Sequence, residues 1–230
     1  MQRPHSKVDE GLRRSSTLHT QWLEEHARKL SDLRSTLETI INRFENLGAA
    51  IDERIQSADY LGLVRRAFRV WDEASTEEKR RYVGNVLVNS AGTRLCSDDV
   101  IRLFLDWLNL YHESHFAVIQ QIYSHRGTTR YEIWDQIYGE LAREDSAEAD
   151  LFRMLIRDLS TGGVIRQERE INESHQFLRK RRPKGKNPQS TTMESAFEDT
   201  KAYVLTGLGE QFVHYTMNEV VIRLESSAAG

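Results

Sequence analysis

Apolar side chains recur along the first quarter of the chain at alternating steps of three and four. They fall at Leu23, Leu30, Leu33, Leu37, Ile40, Phe44, Leu47 and Ile51, with His26 in the one gap. A repeat of 3.5 residues keeps one seam of a helix turned toward a partner. The charged residues Glu24, Glu25, Arg28, Lys29, Asp32 and Arg34 lie mostly off that seam. The spacing predicts a long helix, and two packings satisfy it. One is a bundle within the chain. The other is a coiled coil in which Leu30, Leu33, Leu37, Ile40, Phe44 and Leu47 mediate self-association or hold a partner protein.

The next apolar stripe, Leu61, Val64, Phe68 and Trp71, predicts a second helix over "ADYLGLVRRAFRVWDEA". Ser75 with Glu78 has the spacing of a capping box, which predicts a third helix through Tyr82, Val83, Val86 and Leu87 to about Gly92. Asp98 and Asp99 place negative charge where a helix dipole favours it. From Val100 to Tyr123 the chain is densely apolar, so this stretch is expected at the centre of the core, with a break near His112.

The pattern then shortens. After a turn at "HRGTT", Thr129 with Glu132 predicts another capped helix bearing Trp134, Ile137 and Tyr138. Asp145 with Glu148 predicts the start of the next, with Leu151, Phe152, Leu155, Ile156 and Leu159 as a continuous buried stripe. Gly162 and Gly163 suit a left-handed helix end. "VIRQER" alternates like a strand, and "AYVL" (Ala202 to Leu205) predicts a second. Thr206 is then expected to cap a last helix with Leu208, Phe212, Val213, Val220, Val221 and Leu224 inward.

The order helix, helix, helix, strand, long loop, strand, helix resembles a winged helix. The phrases "IRDLSTGGVIRQ" and "YVLTGLGEQF" resemble the matching parts of many bacterial winged-helix domains, over roughly residues 113 to 222. The resemblance implies a helix-turn-helix whose third helix ends in Gly and enters the wing. Gly209 would let the closing helix approach the sheet. A looser resemblance links "STEEKRRYVGNVLVNSAG" and the half that follows to the Abi-alpha family of abortive-infection proteins, which would imply phage defence as the setting. The expected fold is mainly α. Residues 1–16 form a disordered terminus, 17–97 a helical region, and 98–225 a winged helix with a long wing loop at 170–201.

Charge changes this picture at one place. "QFLRKRRPKGKNPQ" carries Arg179, Lys180, Arg181, Arg182, Lys184 and Lys186 and no acid. The chain has a net charge of −3, and would stand at −9 without those six. Within a wing, such a run suits double-stranded DNA, since each neutralised phosphate releases a counterion. The alternative is a solvated loop. Arg153 and Arg157 on the expected recognition helix could reach phosphates or guanine edges. Glu148 and Asp150 at the start of that helix would repel phosphates, and a protein-binding winged helix suits them equally.

Other chemistry is sparse. One cysteine, Cys96, excludes an intrachain disulfide and a multi-cysteine zinc site. Asp98 and Asp99 nearby should raise its thiol pKa. His112 and His115 stand three apart without an evident third metal ligand. "REINESH", Arg169 to His175, is similar to the Arg-x-His element of some helical ribonucleases but falls in strand and loop. No phosphate loop or nucleophile elbow occurs. The polar N-terminus lacks a signal-peptide core, and no run spans a membrane. The expectation is a cytoplasmic, non-enzymatic binding protein with no cofactor.

Overall fold

The structure is a computed structural model that describes residues 17–32, 34, 35, 38, 42, 49–92, 95–140, 142–169 and 195–217. The expected loose terminus at 1–16 lies outside those residues. So do most of the heptad seam, the basic run, and Val220, Val221 and Leu224. The chain is mainly helical with one small antiparallel sheet.

Helix α1 covers residues 17–32 of the predicted long helix. Then follow α2 (Ala49–Gln56), α3 (Ala58–Glu73), α4 (Glu77–Gly92), α5 (Asp98–Leu110) and α6 (Glu113–Ser124). Strand β1 (Thr128–Thr129) leads into α7 (Arg130–Tyr138) and α8 (Ala147–Thr161). Strands β2 (Ile165–Gln167) and β3 (Ala202–Leu205) precede α9 (Gly207–Thr216). The sheet order is β1-β3-β2. Ile165 pairs with Leu205, Gln167 with Tyr203, and Thr128 also with Tyr203.

The dense apolar stretch breaks where expected. Tyr111 ends α5 and His112 begins α6, both in extended conformation. One contiguous apolar cluster draws on α3 through α9, crossing the expected boundary at 97/98. Helix α4 is buried along most of its length, with Asn85, Asn89 and Ser90 among its buried residues. These polar groups have partners. Asn85 and Asn89 donate from Nδ2 to the carbonyls of Thr216 and Tyr215, at 2.8 and 3.0 Å, and so satisfy the otherwise open end of α9.

Two predicted faces and two predicted caps are displaced. On α3 the buried residues are Tyr60, Leu63, Ala67, Val70 and Trp71, whereas Leu61 is exposed and Val64 and Phe68 are half-buried. The Tyr60 hydroxyl finds a buried acceptor in the Leu87 carbonyl at 3.0 Å, and this turns the helix inward on that side. On α8 the core residues are Ala149, Phe152, Leu155, Ile156 and Leu159, while Leu151 is 43% exposed. The cap of α4 is Thr76, not Ser75, and Glu78 instead accepts from the Tyr82 hydroxyl at 2.6 Å. The cap of α8 is Ser146, not Asp145, whose carboxylate is taken by Arg143.

The turn out of α8 follows the prediction. Gly163 takes φ +76°, the Val164 N–H donates to Leu159 O and the Gly163 N–H to Ser160 O, a Schellman end. Thr206 caps α9 and also donates to Gly163 O at 2.6 Å, tying α9 to this turn. A Cβ at Gly209 would lie 2.1 Å from Val164 O, so only glycine permits this approach.

Candidate functional site

The pairing of β2 with β3 decides where the basic run is attached. Gln167 and Tyr203 are partners across the ladder, so the segment between β2 and β3, residues 168–201, leaves and re-enters the sheet at the same end of that pair. Arg179, Lys180, Arg181, Arg182, Lys184 and Lys186 belong to that segment, in the part outside the described residues. Arg166 on β2 and Arg169 just beyond it are exposed.

The returning part of the loop docks at the junction of α7 and α8. Ala196 is buried, and the Phe197 ring packs 5.1 Å from Trp134 and 6.1 Å from Phe152. Glu144 accepts from the Ala196 N–H at 3.0 Å and from the Ser195 hydroxyl. Burial pushes the Glu144 carboxyl up, but Ser195, Ala196 and Arg153 outweigh it and hold it below the usual carboxylate range. Arg130 donates to Ser195 O at 3.3 Å and to the Tyr203 hydroxyl at 3.0 Å. The sequence held no sign of this dock, because Phe197 is an isolated aromatic in a polar loop and Glu144 sits 52 residues from Ala196.

The two arginines of α8 differ in role. Arg153 is engaged by Glu144 and by Asp150, the latter at 2.9 Å, so it braces the start of α8. Arg157 is 73% exposed, beside the Asp158 carboxylate at 3.6 Å. Acidic groups therefore lie beside both Arg153 and Arg157, and the exposed face of α8 also presents Glu148, Asp150 and Leu151.

On α1, Leu30 is 66% exposed, as are Leu18, Trp22 and Leu23 in part. Leu33, Leu37, Ile40, Phe44 and Leu47 lie outside the described side chains. The inward side of α1 is polar: Lys29 donates to Asp72 O at 3.1 Å on α3.

His115 is buried at 3% exposure and stacks on Tyr111 with ring centroids 5.0 Å apart. Its Nδ1 accepts from the His112 N–H at 3.1 Å, which leaves the proton on Nε2. Nε2 has no hydrogen-bond partner, with Asp158 4.0 Å away. Burial lowers its pKa and Asp158 opposes this; the His112 ring and Lys79 add to the lowering, and the hydrogen bond with the His112 backbone opposes it. No group of three metal-ligating side chains occurs among the described residues. The Cys96 thiol is raised as expected, but burial is the cause, and the Tyr215 hydroxyl opposes it. None of the described helices is long and apolar enough to cross a membrane. No family model matches the chain, and neither a curated protein nor a solved structure does.

Proposed function

We propose that the chain is a non-enzymatic nucleic-acid-binding protein, in which residues from α6 to α9 act as a winged helix and the β2–β3 loop is its wing. The element order α6-β1-α7-α8-β2-β3 and the sheet order β1-β3-β2 support that arrangement. The observation that carries the function is that a run of six basic residues with no acid among them lies in the segment between two paired strands. Such a loop follows a phosphate backbone without reading bases. Helix α8 contributes little direct readout here, because Arg153 is held by two carboxylates and the first turn is acidic. Self-association through α1 presents two wings, and the exposed Leu18, Trp22, Leu23 and Leu30 support it. Phage defence is the setting that the Abi-alpha resemblance suggests.

Fluorescence anisotropy with a labelled duplex at low salt tests the reading. The full chain binds, and a variant with Arg179, Lys180, Arg181, Arg182, Lys184 and Lys186 changed to Gly and Ser loses binding. Equal binding by the two proteins, or none by either, refutes it.

A second reading has its own observation. Leu151 is exposed on α8 amid acidic residues, a surface better suited to a protein than to DNA. In that reading the chain is a scaffold within a multi-component system.

A further inference from the structure

Two helices each turn an unpaired stripe to the outside, and the two stripes are complementary. On α3, burial of Tyr60 and Leu63 turns Leu61 away from the core, and it stands 45% exposed. Arg65 and Arg69 follow it at steps of four, both exposed. Residues four apart lie on one side of a helix, so the three form a stripe of one leucine and two guanidinium groups. Val64 and Phe68, half-buried, border it. Among the described residues, neither arginine has an ion pair or a hydrogen bond. Asp72, one turn beyond Arg69, is engaged by Lys29 at 3.4 Å.

On α7 the exposed stripe is Tyr131, Asp135 and Tyr138, at steps of four and three. The tyrosines are 39% and 44% exposed. Among the described residues, no group pairs with the Asp135 carboxylate or with either phenol. Tyr138 is supported from behind, with its ring centroid 4.2 Å from that of the buried Trp134. Helix α3 packs on α4 and α5, and α7 packs on α6 and β1, so each stripe is the side of its helix left over from those contacts.

The stripes match in length. At 1.5 Å per residue, Leu61 to Arg69 spans about 12 Å and Tyr131 to Tyr138 about 10 Å. They also match in chemistry. Laid side by side, Arg65 at the middle of one meets Asp135 at the middle of the other in a charge-assisted pair. Arg69 then lies over one tyrosine ring, and Leu61 packs on the other. Neither stripe suits a copy of itself, since arginine would face arginine and aspartate would face aspartate.

We propose that the α3 stripe of one copy docks on the α7 stripe of a second copy. Such a contact joins unlike faces, so it builds rings or open chains rather than a two-fold dimer. It is small and electrostatic, hence weak and sensitive to salt. It requires neither nucleic-acid binding nor self-association through α1.

Sedimentation equilibrium of the full chain tests the proposal, at about 0.05 M and about 0.5 M salt, where the screening lengths differ about threefold. At low salt the average mass should rise, on the order of 500 µM, above the plateau held at tens of micromolar, as a Kd of about 0.1–1 mM requires. High salt should return it to the plateau. The variant Arg65→Glu, Arg69→Glu and the variant Asp135→Arg should each stay at the plateau, with thermal midpoints unchanged because the side chains are exposed. Mixing the two should restore association, because the first keeps its α7 stripe and the second its α3 stripe. The proposal is overturned by a mass that never leaves the plateau, by variants that associate as the unaltered chain does, or by a mixture that behaves as its separate components do.

Discussion

At Gly209 the chain has no room for a side chain, because the α9 backbone meets the carbonyl of Val164 directly. Gly209→Ala must push α9 away from the sheet, so a loss of about 1–3 kcal/mol is expected, as for other overpacked sites. A denaturant melt measures it, and an unchanged midpoint would contradict the close approach. His115 makes a second residue-level prediction. Its folded pKa lies below the value of about 6.5 for an unperturbed imidazole. The unfolded chain therefore binds the proton more readily. The stability that His115 contributes is complete above about pH 6.5 and is lost as pH falls through the lower folded value. Protonating Nδ1 would also set two donors against each other, since the His112 N–H already points there. His115→Gln should flatten the decline in thermal midpoint as pH falls below about 6.5. The same slope in the variant would assign the decline to other groups.

Helix α8 is the element whose two sides should respond most differently to truncation. Leu155→Ala removes a buried side chain and should cost about 2–5 kcal/mol. Leu151→Ala should change stability by no more than about 0.5 kcal/mol. Equal losses in denaturant melts would place the core face wrongly. The amphipathic period made α8 legible in the sequence, yet it could not separate Leu151 from Phe152, which are neighbours on the helix. The caps at Ser75/Thr76 and Asp145/Ser146 were legible to within one residue. Both members of each pair can cap. At α8 a neighbour decides, since Arg143 takes Asp145, and at α4 the Tyr82 hydroxyl takes Glu78, the partner that a capping box at Ser75 would need. Strand β1 was read as a turn, because two residues are too few to alternate. Helix α1 carries the third prediction at this scale. Its exposed Leu23 and Leu30 belong to the predicted seam, and Leu18 and Trp22 add exposed apolar surface before it. Sedimentation at tens of micromolar should return a dimer, and a monomer would assign the seam to packing within the chain.

Across the whole molecule, charge is distributed unevenly. The chain as a whole is mildly acidic, the start of α8 is acidic, and a compact basic run hangs from the paired strands β2 and β3. Legibility at this scale followed the same division. The run and the two strands that bracket it could be read from composition and order, whereas the dock of Ser195–Phe197 on Glu144 could not, since nothing local in the sequence encodes it. The central claim is that the run binds phosphates and nothing more specific. The measurement that tests it most directly is duplex affinity as a function of salt, by anisotropy, for the full chain and for Arg181→Ala, Arg182→Ala. Six phosphate contacts predict that log affinity falls with log salt at a slope of about −5, and that the double variant flattens it by about two while weakening all duplex sequences alike. A slope near zero, or the same slope in both proteins, would contradict the account.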